Sequence, residues 1–445
     1  MKESNHLTVK ELNEVCLEIV DCVNKTAPVS DEPTPYKMIR TTNIKDGCVN
    51  LTDVNYVTEK VFEKWTRRVL PKINDVILTR EAPLGEVGLL RSDEKVFLGQ
   101  RTMIYRANEQ LLNQRFLYYS FLGSFMQSQI KELGSGSTVE HLRVPQAEKL
   151  KIILPRIEAQ RKTAAVLSAY DDLIETNKCR IAILEKMADE IYREWFVRLR
   201  FPGYERTKVV RGVPSSWDIM HMGNLISSYI GGGWGEDIQS VEFSKPAYVI
   251  RGTDIPNLSN GEYSKKILRY HKESNFNSRK LFVDDIIFEV SGGSVGQLLG
   301  RTLHITKRLV EFFENNVICA SFCKLLRPDK QKISSLFLKY FLKLYYETGL
   351  VGTFQTQSTG ISNYHFEDFI KYQTLIVPTR DILNAFDDIV GNLMAEKDIL
   401  ALKNNSLKNT RDLFLSRLLS GKLSVEDLDI HFPKSMEDDY AELYQ

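Results

Sequence analysis

Apolar residues return along this chain with two different periods. Between Pro155 and Pro202 there is neither glycine nor proline, and Leu167, Tyr170, Ile174, Asn177, Ile181, Leu184, Ala188, Ile191 and Trp195 follow a strict three-four spacing. That period predicts a coiled-coil seam, whereas one helix resting on a domain core favours a broader stripe nearer 3.6 residues. About forty helical residues would span roughly 60 Å, longer than a compact domain usually buries on one face. A second stripe follows Pro378 in Leu383, Phe386, Val390, Leu393, Leu400, Leu407, Phe414 and Leu418, interrupted by Lys397, Asn404 and Arg411. Polar residues at seam positions cost stability and fix register. Asn177, Lys397 and Asn404 therefore either pair the two helices in one alignment or face solvent or another protein. Gly421 is the expected stop of the second helix.

The other period is short and β-like. Val76 to Thr79, Glu86 to Leu90 and Met103 to Tyr105 read as strands punctuated by Pro83, Gly85, Gly88 and Gly99, and Ile286 to Val290 and Phe312-Phe313 read likewise. Amphipathic helices are expected from Leu111 to Leu133 and from Ile333 to Gly349, their aromatics serving as core. These elements repeat in order. Met38-Ile39-Arg40 returns as Val249-Ile250-Arg251 (251 − 40 = 211), Asp75-Val76-Ile77 as Asp285-Ile286-Ile287 (285 − 75 = 210), and Phe116-Leu117 as Phe337-Leu338 (337 − 116 = 221). A unit this long occurring twice is a duplicated domain, since solenoid repeats run about 20–50 residues. The expected fold is α/β (α+β): two similar domains separated by two long antiparallel helices forming a coiled coil, with approximate two-fold symmetry. The expected divisions are residues 1–155, a helical spacer 156–205, a second domain 206–378, a second spacer 379–421 and a solvated acidic tail 422–445.

Length and composition agree with several cores, since a chain of 445 residues with 43% hydrophobic positions exceeds what one core usually serves. A formal net charge of +1 excludes a generally cationic nucleic-acid coat and leaves any such surface to local segregation of charge. Cys16, Cys22, Cys48, Cys179, Cys319 and Cys323 form no Cys-x-x-Cys pair, so buried, reduced thiols and no metal site are expected. Met1 to His6 opens no apolar signal core and no apolar run approaches the about 20 residues of a membrane helix, which favours a cytoplasmic protein.

Catalytic motifs are missing. An amino-methyltransferase needs Pro-Pro followed by an aromatic to stack a flipped base, and no Pro-Pro occurs; the Gly421-Lys422 pair precedes leucine, not the Ser or Thr of a phosphate loop. Gly231-Gly232-Gly233-Trp234-Gly235 imitates a nucleotide loop, but Glu236 and Asp237 would repel a phosphate, and a flexible loop is the expectation. No catalytic residue and no cofactor of the chain's own is expected.

Gly136-Ser137-Thr138-Val139-Glu140-His141-Leu142, then Lys151 to Leu154 and Pro155-Arg156-Ile157-Glu158-Ala159-Gln160-Arg161, resemble the specificity subunits of Type I restriction-modification systems. So do Leu167 to Asn177, Glu194-Trp195-Phe196-Val197, and Pro214-Ser215-Ser216-Trp217 leading to Gly223-Asn224-Leu225. The resemblance spans nearly the whole chain. It departs at Pro378-Thr379-Arg380-Asp381-Ile382, which does not repeat the Pro-x-x-Glu-x-Gln opening, and in the glycine run present only in the second half. It implies a non-catalytic subunit whose two domains each read one half of a split, asymmetric double-stranded DNA target. The helices, through Gln160, Arg161 and the seam residues Leu167, Tyr170, Ile174, Asn177, Ile181, Leu184, Ile191, Trp195, Phe386, Leu393, Leu400, Leu407 and Phe414, would set the spacing and hold two adenine-methyltransferase subunits. A nuclease-translocase joins for cleavage, and S-adenosylmethionine, ATP and Mg belong to those partners.

Residue chemistry supplies DNA-contact candidates in glycine-rich turns at matching places: Arg80, then Ser135, Ser137 and Thr138 in the first half, Ser291 and Ser294, then Gln355, Gln357, Ser358 and Thr359 in the second, with Arg279 and Lys280 as phosphate contacts. Ordinary turn chemistry explains any one of them. Two other readings stand beside DNA recognition at this stage: a coiled-coil scaffold with twin protein-binding domains, and a self-sufficient methyltransferase.

Overall fold

The structure, a computed structural model, describes residues 7–134, 140–265, 267–292, 297–358 and 361–436. The chain divides into two compact units, Met1–Leu173 with Leu407–Gln445, and Ile174–Ser406. Each is an α/β assembly built on one plan.

In the first unit a six-stranded sheet runs Cys16–Asp21, Thr102–Ala107, Val76–Arg80, Leu84–Leu89, Gly47–Val49, Ile44–Lys45. A three-stranded sheet centres on Lys37–Ile39, parallel to Val96–Leu98, and Thr8–Glu11 pairs with Lys151–Leu154. The second unit repeats the first four places of this order, Ile226–Gly231, Cys323–Pro328, Ile286–Glu289, Thr302–His304 in one sheet, with Lys245–Ile250 parallel to Val317–Cys319 in another, and Asp218–His221 paired with Thr374–Val377. The duplication is thus one of hydrogen-bonding topology as well as of sequence.

Two details show how far the copies agree. Asp75 and Asp285, each 2% exposed, cap the turn before their strands and hold the guanidinium of Arg106 (2.8 and 2.7 Å) and Arg327 (2.8 and 2.9 Å) respectively. Such forked charge-assisted pairs satisfy a buried carboxylate that would otherwise be costly. The helices that follow start at Asn113 and Ser334, whose side chains accept from the amides of Phe116 and Phe337.

The expected helix from Leu111 to Leu133 is two, Gln114–Leu122 and Ser124–Gly134, broken where Gly123 turns extended (φ −72°, ψ 149°). Phe312-Phe313, expected as strand, instead closes the helix Lys307–Phe312: Thr306 caps Leu309, and Leu309, Val310 and Phe313 bury one helical face. The glycine run is not a flexible loop. Gly231 ends a strand, Gly232 and Gly233 donate to the carbonyls of Cys323 and Cys319, and a Cβ on Gly232 would lie 2.2 Å from the Ala320 carbonyl oxygen. Only glycine lets the backbone pass that close.

Cys48 and Cys179 are exposed, against the expectation of buried thiols. The tail also departs from expectation. Val425 and Met436 are buried in the first unit's core with Ile430 and Phe432 packed beside them, and the Lys162 ammonium donates to the carbonyls of Glu426 (2.6 Å) and Leu428 (2.7 Å). Its apolar residues outweigh the acidic ones up to Met436; residues 437–445 lie outside the described ones.

The long helices are Ile157–Tyr192, continued by a π-helical turn Arg193–Val197, and Arg380–Leu419. In each unit their segments pair antiparallel. The first unit places Tyr170 against Phe414 (ring centroids 5.8 Å apart) and Asp171 against Arg411 (2.7 Å). The second places Asn177 against Asn404 (2.9 Å), Glu185 against Lys397 (2.7 Å) and Tyr192 against Phe386 (6.1 Å). The three polar interruptions, seven residues apart at Lys397, Asn404 and Arg411, each meet a polar partner. They fix the alignment because a slip by one turn would leave buried polar groups unpaired.

The seam is also wider than the three-four pattern. Ala164, Ala165 and Leu167 belong to the first unit's core, and Ala188, Leu383, Phe386, Val390 and Met394 to the second's. Ile181, Leu400 and Ala401 form a further cluster with Ile255, Leu258 and Tyr263, where Gly261 (φ +77°) lies so near the helices that a Cβ would meet Ile181 at 3.1 Å and Ala401 at 3.2 Å. Leu184, Ile191, Trp195, Leu393, Leu407 and Phe414 are half-buried. Tyr192, outside the pattern, is 3% exposed. Tyr192 and Phe196 pack on the second unit's core together with Ile191 and Trp195, the π turn beginning just after Tyr192.

Candidate nucleic-acid interface

Antiparallel strands bring distant turns to one end of each sheet. In the second unit, Ser291–Gly292, Ile361–Tyr364 and Gln355–Ser358 form a three-stranded sheet in that order, so Ser291 and the Gln355, Gln357 and Ser358 backbone come together. Ser291 donates toward the Ser362 carbonyl (3.3 Å) and Asn363 Oδ1 (3.2 Å). Gln355 Oε1 accepts from the Leu299 amide at 2.9 Å, which fixes a loop rather than leaving the amide free. Arg279 reaches the same end, its Nε donating to the Gly231 carbonyl at 3.0 Å. Burial, and then the charges of Arg269 and Arg279, hold the His271 imidazole below its usual range. Lys280 points elsewhere, its ammonium 5.6 Å from the Phe276 ring centroid and 5.8 Å from that of Phe282.

In the first unit the matching end carries Thr79, Arg80, Glu81 and Arg101. Thr79 closes the turn by donating to the Pro83 carbonyl (2.6 Å) and accepting from the Glu86 amide (2.9 Å). Glu81 pairs with Arg101 at 2.7 Å and with His141 Nδ1 at 3.1 Å. Ser135, Ser137 and Thr138 lie outside the described residues, as do Ser294 and Thr359.

Two expected contacts are corrected by burial. Arg80 is 8% exposed with a guanidinium N–H 3.5 Å from the Leu142 carbonyl, so it braces the turn from within. Gln160 is 1% exposed and spends its whole amide inside the first unit, accepting from the Asn113 amide and donating to the carbonyls of Leu111 and Pro155. It pins the start of the first long helix and offers nothing to a partner; Arg161 beside it is half-buried. Sequence reasoning passed over Arg101 and Phe322. Only the shift of 221 residues (322 − 101) sets them in register, and exposure needs the fold.

The family model for the Type I restriction modification DNA specificity domain matches residues 6–186. The curated Type I restriction enzyme MjaIX specificity subunit of Methanocaldococcus jannaschii is 26% identical over 384 residues, covering 84% of this chain and 82% of the relative. Residues 6–186 thus resemble a Type I restriction-modification specificity domain, and the chain is similar to specificity subunits over most of its length. A second relative, the putative Type I restriction enzyme MjaX specificity subunit of the same organism, is 26% identical over 223 residues, 48% of this chain and 52% of that one. Among solved structures, the Type I restriction-modification S subunit from M. genitalium shares the fold at a TM-score of 0.53 and 16% identity, covering 94% of this chain and 97% of that one. No helix among the described residues is long and apolar enough to cross a membrane, and no group of three or more His, Cys, Asp or Glu is placed to hold a metal ion.

Proposed function

We propose that this chain is a specificity subunit that reads an asymmetric, bipartite double-stranded DNA target, one half-site per unit, and positions two adenine-methyltransferase subunits, with a nuclease-translocase joining for cleavage. Chemistry and its S-adenosylmethionine, ATP and Mg reside on those partners. The observation that carries the reading is a frame repeated down to its buried Asp–Arg anchors while the exposed turns at the sheet ends differ. A repeated frame supports two docking events of the same geometry; differing turns support two different half-sites. Residues 1–155 and 206–378 are the proposed recognition domains, 156–205 and 379–421 the proposed spacers. The contacts assigned to DNA are Ser291, Ser294, Gln357, Ser358 and Thr359 in one half-site, with Arg279 as a phosphate contact, and Ser135, Ser137 and Thr138 in the other.

Competition binding by the complex of this chain with its methyltransferase subunits tests the reading. Specific duplex is expected to resist unrelated duplex by at least about 10³-fold at physiological salt, the lower range for specific recognition. Uniform, salt-sensitive binding to every duplex would contradict recognition and favour a scaffold.

A further inference from the structure

The two units superimpose their hydrogen bonding around one short turn. In the first, Gly99 donates to the Ile39 carbonyl, Arg80 to Arg101 and Cys22 to Thr102; in the second, Ala320 donates to Ile250, Val290 to Phe322 and Gly232 to Cys323. The turns thus enclosed are Gln100-Arg101 and Ser321-Phe322, and all four residues are exposed. Each turn precedes the second strand of its main sheet and lies against the turn that follows the third, the end of the sheet where the candidate contacts gather. Resting on the DNA-reading function proposed above, we propose that these dipeptides are specificity-determining residues, Arg101 reading a guanine edge in one half-site and Phe322 an apolar base surface, a thymine methyl or an opened base step, in the other.

Phe322 has no structural reason to be where it is. Its side chain is 61% exposed, the most exposed aromatic among the described residues, while its carbonyl accepts from the amides of Val290 (2.9 Å) and Ser291 (3.2 Å). The backbone is held and the ring stands out beside the Ser291–Gly292 strand, a rigid apolar surface at a polar rim. Holding a large ring in water is unfavourable unless a ligand covers it, and phenylalanine is among the side chains that read thymine methyls or wedge between base steps. Arg101 occupies the equivalent place with opposite chemistry. Its φ of +69° turns the side chain outward, and Glu81, itself braced by His141, fixes the guanidinium through Nε at 2.7 Å. That leaves the terminal nitrogens for the two acceptors of a guanine edge. Gln100 and Ser321 beside them are polar readers of the same class.

Sequence selection from randomised duplexes, using the complex with methyltransferase subunits, tests this. Phe322→Ala is expected to flatten base preference at one or two positions of one half-site by roughly ten-fold, with the other half-site unchanged; Phe322→Leu should keep part of it. Arg101→Gln is expected to do the same in the other half-site, losing guanine preference there. Thermal midpoints should stay at the wild-type value, because both side chains are exposed. If wild type selects a sequence and both variants select the identical one, or if affinity falls equally for all duplexes, the assignment is overturned. A wild-type complex that selects nothing overturns the function and the assignment together.

Discussion

Phe386→Ala is expected to remove about 3–5 kcal/mol from the unfolding free energy, the range for deleting a fully buried aromatic side chain. Phe386 has no exposed surface, and its ring centroid lies 5.0 Å from Phe196, 6.0 Å from Trp195, 6.1 Å from Tyr192 and 6.2 Å from Tyr340. Truncation would leave a cavity ringed by rigid aromatics that cannot collapse to fill it, so transfer and cavity costs add. Denaturant melts give the value, and the seam-line Leu393→Ala, at a half-buried site, should lose less than half as much. Equal losses at both positions would mean that a simple two-helix seam, and not the unit's core, holds this helix.

Glu185→Ala should be comparably damaging for an electrostatic reason. Its carboxylate meets Lys397 at 2.7 Å, Lys339 at 3.1 Å and Lys343 at 3.7 Å. Lys397 is only 7% exposed, so removing the acid strands a desolvated ammonium beside a second one, which costs about 3–5 kcal/mol. Burial pushes the Lys339 ammonium down to about 8 against the pull of Glu185, leaving it charged at neutral pH. For Glu185 burial pushes the carboxyl upward, and the lysines more than reverse this, holding it well below the usual carboxylate range. A carboxyl with a folded pKa below its unfolded value lends stability that is complete above the unfolded value and is lost as pH falls. Wild-type melts should therefore weaken below about pH 4.5, and Glu185→Gln should flatten that limb. Replacing Glu185, Lys339 and Lys397 together by Leu, Met and Met should recover most of the loss, since the network fixes register more than it stabilises. A single Glu185→Ala variant as stable as wild type would refute the assignment.

Much of this architecture was legible because duplication writes itself into spacing. Arg40 and Arg251, Asp75 and Asp285, Phe116 and Phe337 keep their order in the sequence and their hydrogen bonds in the fold. The polar seam residues were legible too: Asn177 and Asn404 stood at heptad positions and meet side chain to side chain. What escaped depended on contacts distant in sequence. Nothing in Arg80 or Gln160 announces that the fold will bury them against a neighbouring backbone, and an Asp- and Glu-rich tail gave no hint that Val425 and Met436 would outweigh it. Phe312-Phe313 is two residues long, too short for periodicity to separate strand from helix. Tyr192 stands four residues after Ala188 on the broader stripe that packs on the second unit's core, so a strict three-four seam passes over it in favour of its neighbours.

The central claim, that two reading domains are spaced by the paired helices, is tested most directly by lengthening both. Seven residues inserted into each long helix beside the Asn177–Asn404 pair add about 10 Å, close to three base pairs of duplex. Methylated adenines mapped in cells carrying this variant and its methyltransferase should show both half-site sequences unchanged and the gap between them longer by about three base pairs. An unaltered gap with intact methylation would contradict the account.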